Sequence, residues 1–60
     1  MNGGLVLQLG YIYAANARVE GMKAENTARA LQGLPPYYTE NDFTREAINM
    51  EEAARAAAQF

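Results

Sequence analysis

The chain of 60 residues contains no Cys, no His, no Trp and, along its whole length, no Ser. Without Cys there is neither a disulfide framework nor a thiolate–zinc scaffold. Without Ser, Cys or His the commonest nucleophiles and general bases are missing. Catalysis would fall to Lys23, a Tyr or a lone carboxylate, so the chain is not expected to be an enzyme. Cations are also few. Five Lys plus Arg stand against seven Asp plus Glu, for a net charge of −2 and a pI near 4.8. That balance does not suit a nonspecific nucleic-acid binder. The acids do not read as ligands for a metal either. Glu51 and Glu52 are adjacent and point about 100° apart on a helix. Glu20 and Glu25 do not share a face, and neither a Glu-x-x-His nor a calcium-loop pattern is present. No metal and no cofactor are expected.

Long apolar runs are scarce too. The longest, from Leu5 to Ala17, is interrupted by Gln8, Tyr11 and Tyr13. It falls well short of the roughly 20 apolar residues that span a bilayer. Ala15-Asn16-Ala17 looks like a small-residue cleavage site, but no basic side chain precedes the run, and cleavage would leave a chain too short to fold easily. The run reads instead as the first turns of a buried helix. The expected location is the cytoplasm, with no membrane partner.

What the chain does have is apolar bulk, half of its residues, with twelve Ala supplying much of it. At this length one domain is the limit. Such a domain buries only about 60% of the surface of its unfolded chain, and its core rarely supplies more than roughly 3–5 kcal/mol. With no disulfide or metal available as a staple, association with further copies is the expected remedy.

The one clear break is Gln32-Gly33-Leu34-Pro35-Pro36-Tyr37-Tyr38. Gly33 suits the left-handed conformation that closes a helix. Pro35 pushes Leu34 out of the helical region, and Pro36 removes another donor. Thr39 then reads as an N-cap, with Asp42 three residues on in an acidic variant of the capping box. Glu40 and Asp42 suit the positive end of a helix dipole. The Ala-rich segment that follows has the highest helix propensity available. The expectation is all-α: a helix over about 4–32, a loop over 33–38 and a helix over about 39–59. Together they form one antiparallel two-helix hairpin that assembles into a homo-oligomeric bundle.

The first helix carries two stripes. One runs through Leu7, Gly10, Ala14, Ala17, Gly21, Ala24, Ala28 and Leu31 at alternating spacings of 3 and 4, a heptad seam of mostly small side chains. Gly costs about 1 kcal/mol against Ala inside a helix, so Gly10 and Gly21 point to close helix approach. The second, roughly opposite, holds Leu5, Leu9, Ile12, Val19 and Met22. The second helix offers a single stripe, Phe43, Ala47, Met50, Ala54 and Ala57, with Phe60 beyond. One stripe cannot cover two faces. At 1.5 Å per residue the second helix is also about 12 Å shorter, so it is expected to leave the first turns of its neighbour bare. The predicted oligomer interface comprises Leu5, Leu9, Gly10, Ile12, Ala14, Ala17 and Gly21.

Two polar strips lie between these stripes. Tyr11, Arg18, Glu25 and Arg29 form one, and Tyr13, Asn16, Glu20, Lys23 and Thr27 the other. A solvated helix surface accounts for both. The functional alternative is a ligand site at a subunit seam, with Tyr stacking on a base, Arg or Lys holding phosphate and Asn reading a base edge. Its candidate residues are Tyr11, Arg18, Lys23 and Arg29, joined by the loop pair Tyr37 and Tyr38. That pair reads equally as a cap on the hairpin core. Pro35-Pro36-Tyr37-Tyr38 also fits the short Pro-Pro-x-Tyr pattern read by WW domains.

Val-Glu-Gly-Met-Lys-Ala-Glu-Asn at 19–26, followed by Tyr-Tyr-Thr-Glu-Asn-Asp-Phe at 37–43, resembles small uncharacterised proteins of tailed phages and prophages. The resemblance carries over no functional residue. It implies a context, a host-cell cytoplasm, and a non-catalytic role. Such small proteins inhibit host machinery or act as oligomeric sponges for nucleotide immune signals. The leading expectation is therefore an oligomeric protein that sequesters a nucleotide-like signalling ligand at a subunit seam. The runner-up is a protein-binding inhibitor or adaptor, contacting a host protein through the exposed end of the first helix or the Tyr37–Tyr38 loop. A structural assembly part is the third.

Overall fold

The computed structural model of the protein describes residues 3–60. They form two helices, α1 (Gly3–Leu31) and α2 (Glu40–Ala57), packed against each other as a hairpin, with no strand among them.

Local chemistry sets the boundaries. α1 contains no Pro, and it ends where Gly33 adopts φ 74°. The Leu34 N–H reaches back to the Arg29 carbonyl at 2.9 Å and the Gly33 N–H to the Ala30 carbonyl at 3.0 Å. This is the Schellman pattern, which satisfies carbonyls left open at a helix end. α2 starts at Thr39, whose extended backbone (φ −98°, ψ 173°) is that of an N-cap. Its N–H donates to Asp42 Oδ2 at 2.8 Å, and its hydroxyl to the same oxygen at 3.2 Å. Glu40 and Asp42 in the first turn and Arg55 in the last both favour the α2 dipole.

α1 meets α2 along a heptad seam of Leu5, Gln8, Ile12, Ala15, Val19, Met22, Asn26 and Arg29, each buried or half-buried. This is the second of the two predicted stripes, with Gln8 in place of Leu9, Ala15 added and the C-terminal end extended by Asn26 and Arg29. Leu5 and Ile12 thus face α2 within the chain. Gly10, Ala14, Ala17 and Gly21 lie on the exposed face, and a Cβ added at Gly10 or Gly21 meets nothing within 4 Å. Leu9 sits at the margin, 36% exposed.

Two expectations need correction. The α2 contact runs through Phe43, Glu46, Met50, Ala53 and Ala57, whereas Ala47 and Ala54 are exposed. A hydrophobic count skips Glu46, but Arg18 on α1 holds its carboxylate at 3.0 Å. The face that α2 turns inward therefore carries Glu46 beside Arg18 and Ala53 rather than Ala54. α2 also falls less far short of the start of α1 than expected: it ends level with Leu7, so that only about one turn, residues 3–6, extends beyond it. The loop runs back along α1, so that Tyr38 already lies beside Asn26, and Glu46 follows beside Arg18. At equal rise along both helices, that register brings Ala56 level with Gln8. Accordingly Ala56, Ala57, Gly4 and Leu5 are all half-buried.

The hairpin is long and thin, 47 × 18 × 9 Å, with a radius of gyration of 14.5 Å. A compact chain of this length has about 10 Å. Its accessible surface is 4424 Å², against about 3,900 Å² for a compact monomer of this mass. Only Ala15, Met22 and Ala53 are buried among the described residues. No helix among the described residues is long and apolar enough to cross a membrane.

Candidate functional site

Asn26 organises the one place where loop and helices converge. It occupies a seam position where an apolar residue would continue the stripe. Its Oδ1 accepts the N–H groups of Tyr37 and Tyr38, both at 3.0 Å, and its Nδ2 donates to the Tyr38 carbonyl at 2.8 Å. A side-chain amide can make these bonds because it carries donors and an acceptor together. One turn further on, Arg29 Nε donates to the Pro35 carbonyl at 2.8 Å. Its guanidinium carbon lies 5.8 Å from the centroid of the Tyr37 ring. Tyr37 and Tyr38 meet edge to face, with centroids 4.9 Å apart and planes at 77°.

These contacts form one end of an open groove of about 720 Å³ between α1, the loop and α2. Arg18, Arg29 and Arg45 line it, and so do Glu25, Asp42 and Glu46. The charges therefore balance. Arg18 Nε lies 3.0 Å from both Glu46 oxygens, and the Glu46 side chain is only 12% exposed. The hydrogen bond from Arg18 holds the Glu46 carboxyl below its ordinary range, with lesser help from Asn49 and Arg45, and the same bond raises Arg18. Asp42 is also lowered, chiefly by the Thr39 N–H and further by Arg45, whose Nη1 stands 3.6 Å away. Among the described residues no group of three or more acidic side chains is placed to hold a metal ion.

Four of the six predicted ligand residues, Arg18, Arg29, Tyr37 and Tyr38, line this groove. Tyr11 lines a smaller one of about 290 Å³ with Gln8, Asn49 and Glu52, and Arg18 borders both. Lys23 lines neither; it pairs with Glu20 at 3.2 Å, and both side chains are more than 60% exposed. Asn26, Asp42, Arg45 and Glu46 were absent from the predicted set. Asn26 had a legible signal, since it continues the spacing of Ala15, Val19 and Met22. Glu46 had one as well, three residues after Phe43 and four before Met50.

No protein-family model, curated protein or solved structure matches the chain.

Proposed function

We propose that this is a non-enzymatic association protein whose working form is a homo-oligomer built through α1. One observation carries the reading: the hairpin uses one face of α1 and leaves the other exposed. Leu7 is 52% exposed and Leu31 85%, and Val6 and Tyr13 flank that face at 50% and 73%. With three buried residues among those described, a lone hairpin has little apolar burial to offset the entropy of ordering the chain. A second helix on the open face supplies more. The phage-protein resemblance supports the same non-catalytic role. Sedimentation equilibrium and melting at several concentrations test it. Assembly predicts a mass above 6.6 kDa and a melting temperature that falls on dilution. A monomeric mass with a concentration-independent melt overturns it.

A nucleotide-like ligand in the Tyr37–Tyr38 groove is the second reading. The Arg29 guanidinium over the Tyr37 ring favours it, since that pair offers a cation beside a stacking surface. It ranks second because each Arg in the groove already has a carboxylate or carbonyl partner. Calorimetry against cyclic and linear nucleotides decides it: heat that Tyr37→Ala abolishes supports the site, and no heat from any nucleotide rejects it.

A further inference from the structure

We infer that the second copy lies antiparallel on the open face of α1, with Leu7 of each chain against Leu31 of the other. This rests on the oligomeric reading above and specifies its interface. The open face is symmetric about the level of Val19. Leu7 and Leu31 lie equally far from it on either side, as do Gly10 and Ala28, and Ala17 and Gly21. An antiparallel copy therefore closes each end with a Leu–Leu layer and puts small residues opposite small residues between them. Antiparallel seams pair the two kinds of heptad position in just these layers.

A parallel copy matches the same apolar residues, so charge decides the direction. The residues flanking the seam are Tyr11, Arg18 and Glu25 on one edge and Tyr13, Glu20 and Thr27 on the other. Parallel pairing sets Glu20 of each chain against Glu25 of its neighbour, along both edges. Among the described residues Glu25 makes no ion pair, and Arg29 directs its Nε to the Pro35 carbonyl. Antiparallel pairing sets Tyr11 against Glu25 and Tyr13 against Thr27. Its two like-charge meetings, Arg18 with Arg18 and Glu20 with Glu20, involve groups already compensated at home by Glu46 and Lys23. Antiparallel helix dipoles favour the same direction.

The absence of native Cys makes disulfide mapping direct. Leu7→Cys and Leu31→Cys change exposed side chains, so the hairpin itself survives. The two sites are about 36 Å apart along one helix, beyond the reach of a bond within a chain. Antiparallel pairing predicts that a mixture of the two single variants cross-links into heterodimers under mild oxidation. Neither variant alone cross-links. Cross-linking of each variant with itself overturns the inference in favour of a parallel pair. A wild-type oligomer with no cross-link in any mixture overturns the interface but leaves the oligomeric reading standing; a wild-type monomer overturns both. Glu25→Gln supplies a second readout that needs no cysteine. It leaves the dissociation constant of an antiparallel dimer unchanged, whereas tighter association means a parallel one.

Discussion

Asn26 and Tyr38 bond to each other twice: the Tyr38 N–H donates to Asn26 Oδ1 at 3.0 Å, and Asn26 Nδ2 donates to the Tyr38 carbonyl at 2.8 Å. A single side chain thereby stands in for a backbone ladder at the point where the loop turns into α2. It also sets the register of the hairpin, because it fixes where α2 begins along α1.

Asn26→Ala removes this clamp and leaves part-buried Tyr38 backbone groups without partners. The expected loss of stability is about 1–3 kcal/mol. Urea unfolding at fixed protein concentration measures it. Hydrogen exchange should show the Tyr37 and Tyr38 amides losing protection first.

The two glycines at positions 33 and 21 should respond to Ala in different ways. Gly33 sits at φ 74°, where a Cβ is strained, so Gly33→Ala should destabilise by about 1 kcal/mol net of the unfolded-state gain. Gly21 is helical and its Cβ would meet open space in the hairpin. In a monomer Gly21→Ala should stabilise by roughly 1 kcal/mol through helix propensity. Against a closely packed second copy that gain should shrink or reverse. Thermal melts at several concentrations compare the two variants.

Ala15 and Ala53 are 1% and 5% exposed, and their small size lets α1 and α2 approach. Ala15→Leu should force the helices apart at a cost of about 1–3 kcal/mol. Ala47→Leu and Ala54→Leu, at exposed α2 positions, should be nearly neutral in the hairpin. If Ala47→Leu were the damaging change, the α2 face would be the one that hydrophobic counting predicts. Urea midpoints rank the variants.

Acid should weaken the fold through Glu46 and Asp42. Both carboxyls lie below their ordinary values in the folded state. Their contribution is therefore fully present above the unfolded carboxylate pKa of about 4 and is lost as pH falls through the lower folded values. Stability followed by circular dichroism from pH 7 downward should drop below about pH 4. Glu46→Gln should be less stable at pH 7 and show a flatter acid limb. An acid limb unchanged by that substitution would remove the Arg18–Glu46 pair as its cause.

The helix ends were legible because each is set by neighbours in sequence. Gly33 with Pro35 and Pro36 stops α1, and Thr39 with Asp42 starts α2, through steric and hydrogen-bonding effects that act within a few residues. The two apolar stripes of α1 were legible for the same kind of reason, since helical periodicity alone places them. The contact face of α2 was less so. Alanine is nearly indifferent to exposure, and among so many alanines periodicity defines a face only weakly.

The sequence by itself determined two helices, a break between them and a first helix with more apolar surface than one partner covers. All of these follow from local propensity, steric limits at Gly and Pro, and the helical repeat. Tertiary structure alone decided which α1 stripe receives α2, how far α2 reaches, and which charged groups meet. Those outcomes rest on pairs distant in the chain: the packed face of Ala15 and Met22 with Ala53, Arg18 with Glu46 beside it, and Asn26 with Tyr38, whose hydrogen bonds hold the start of α2 against α1. Neither member of a pair identifies its partner until the loop has folded back, because geometry rather than composition selects which of several carboxylates or backbone amides comes within 3 Å.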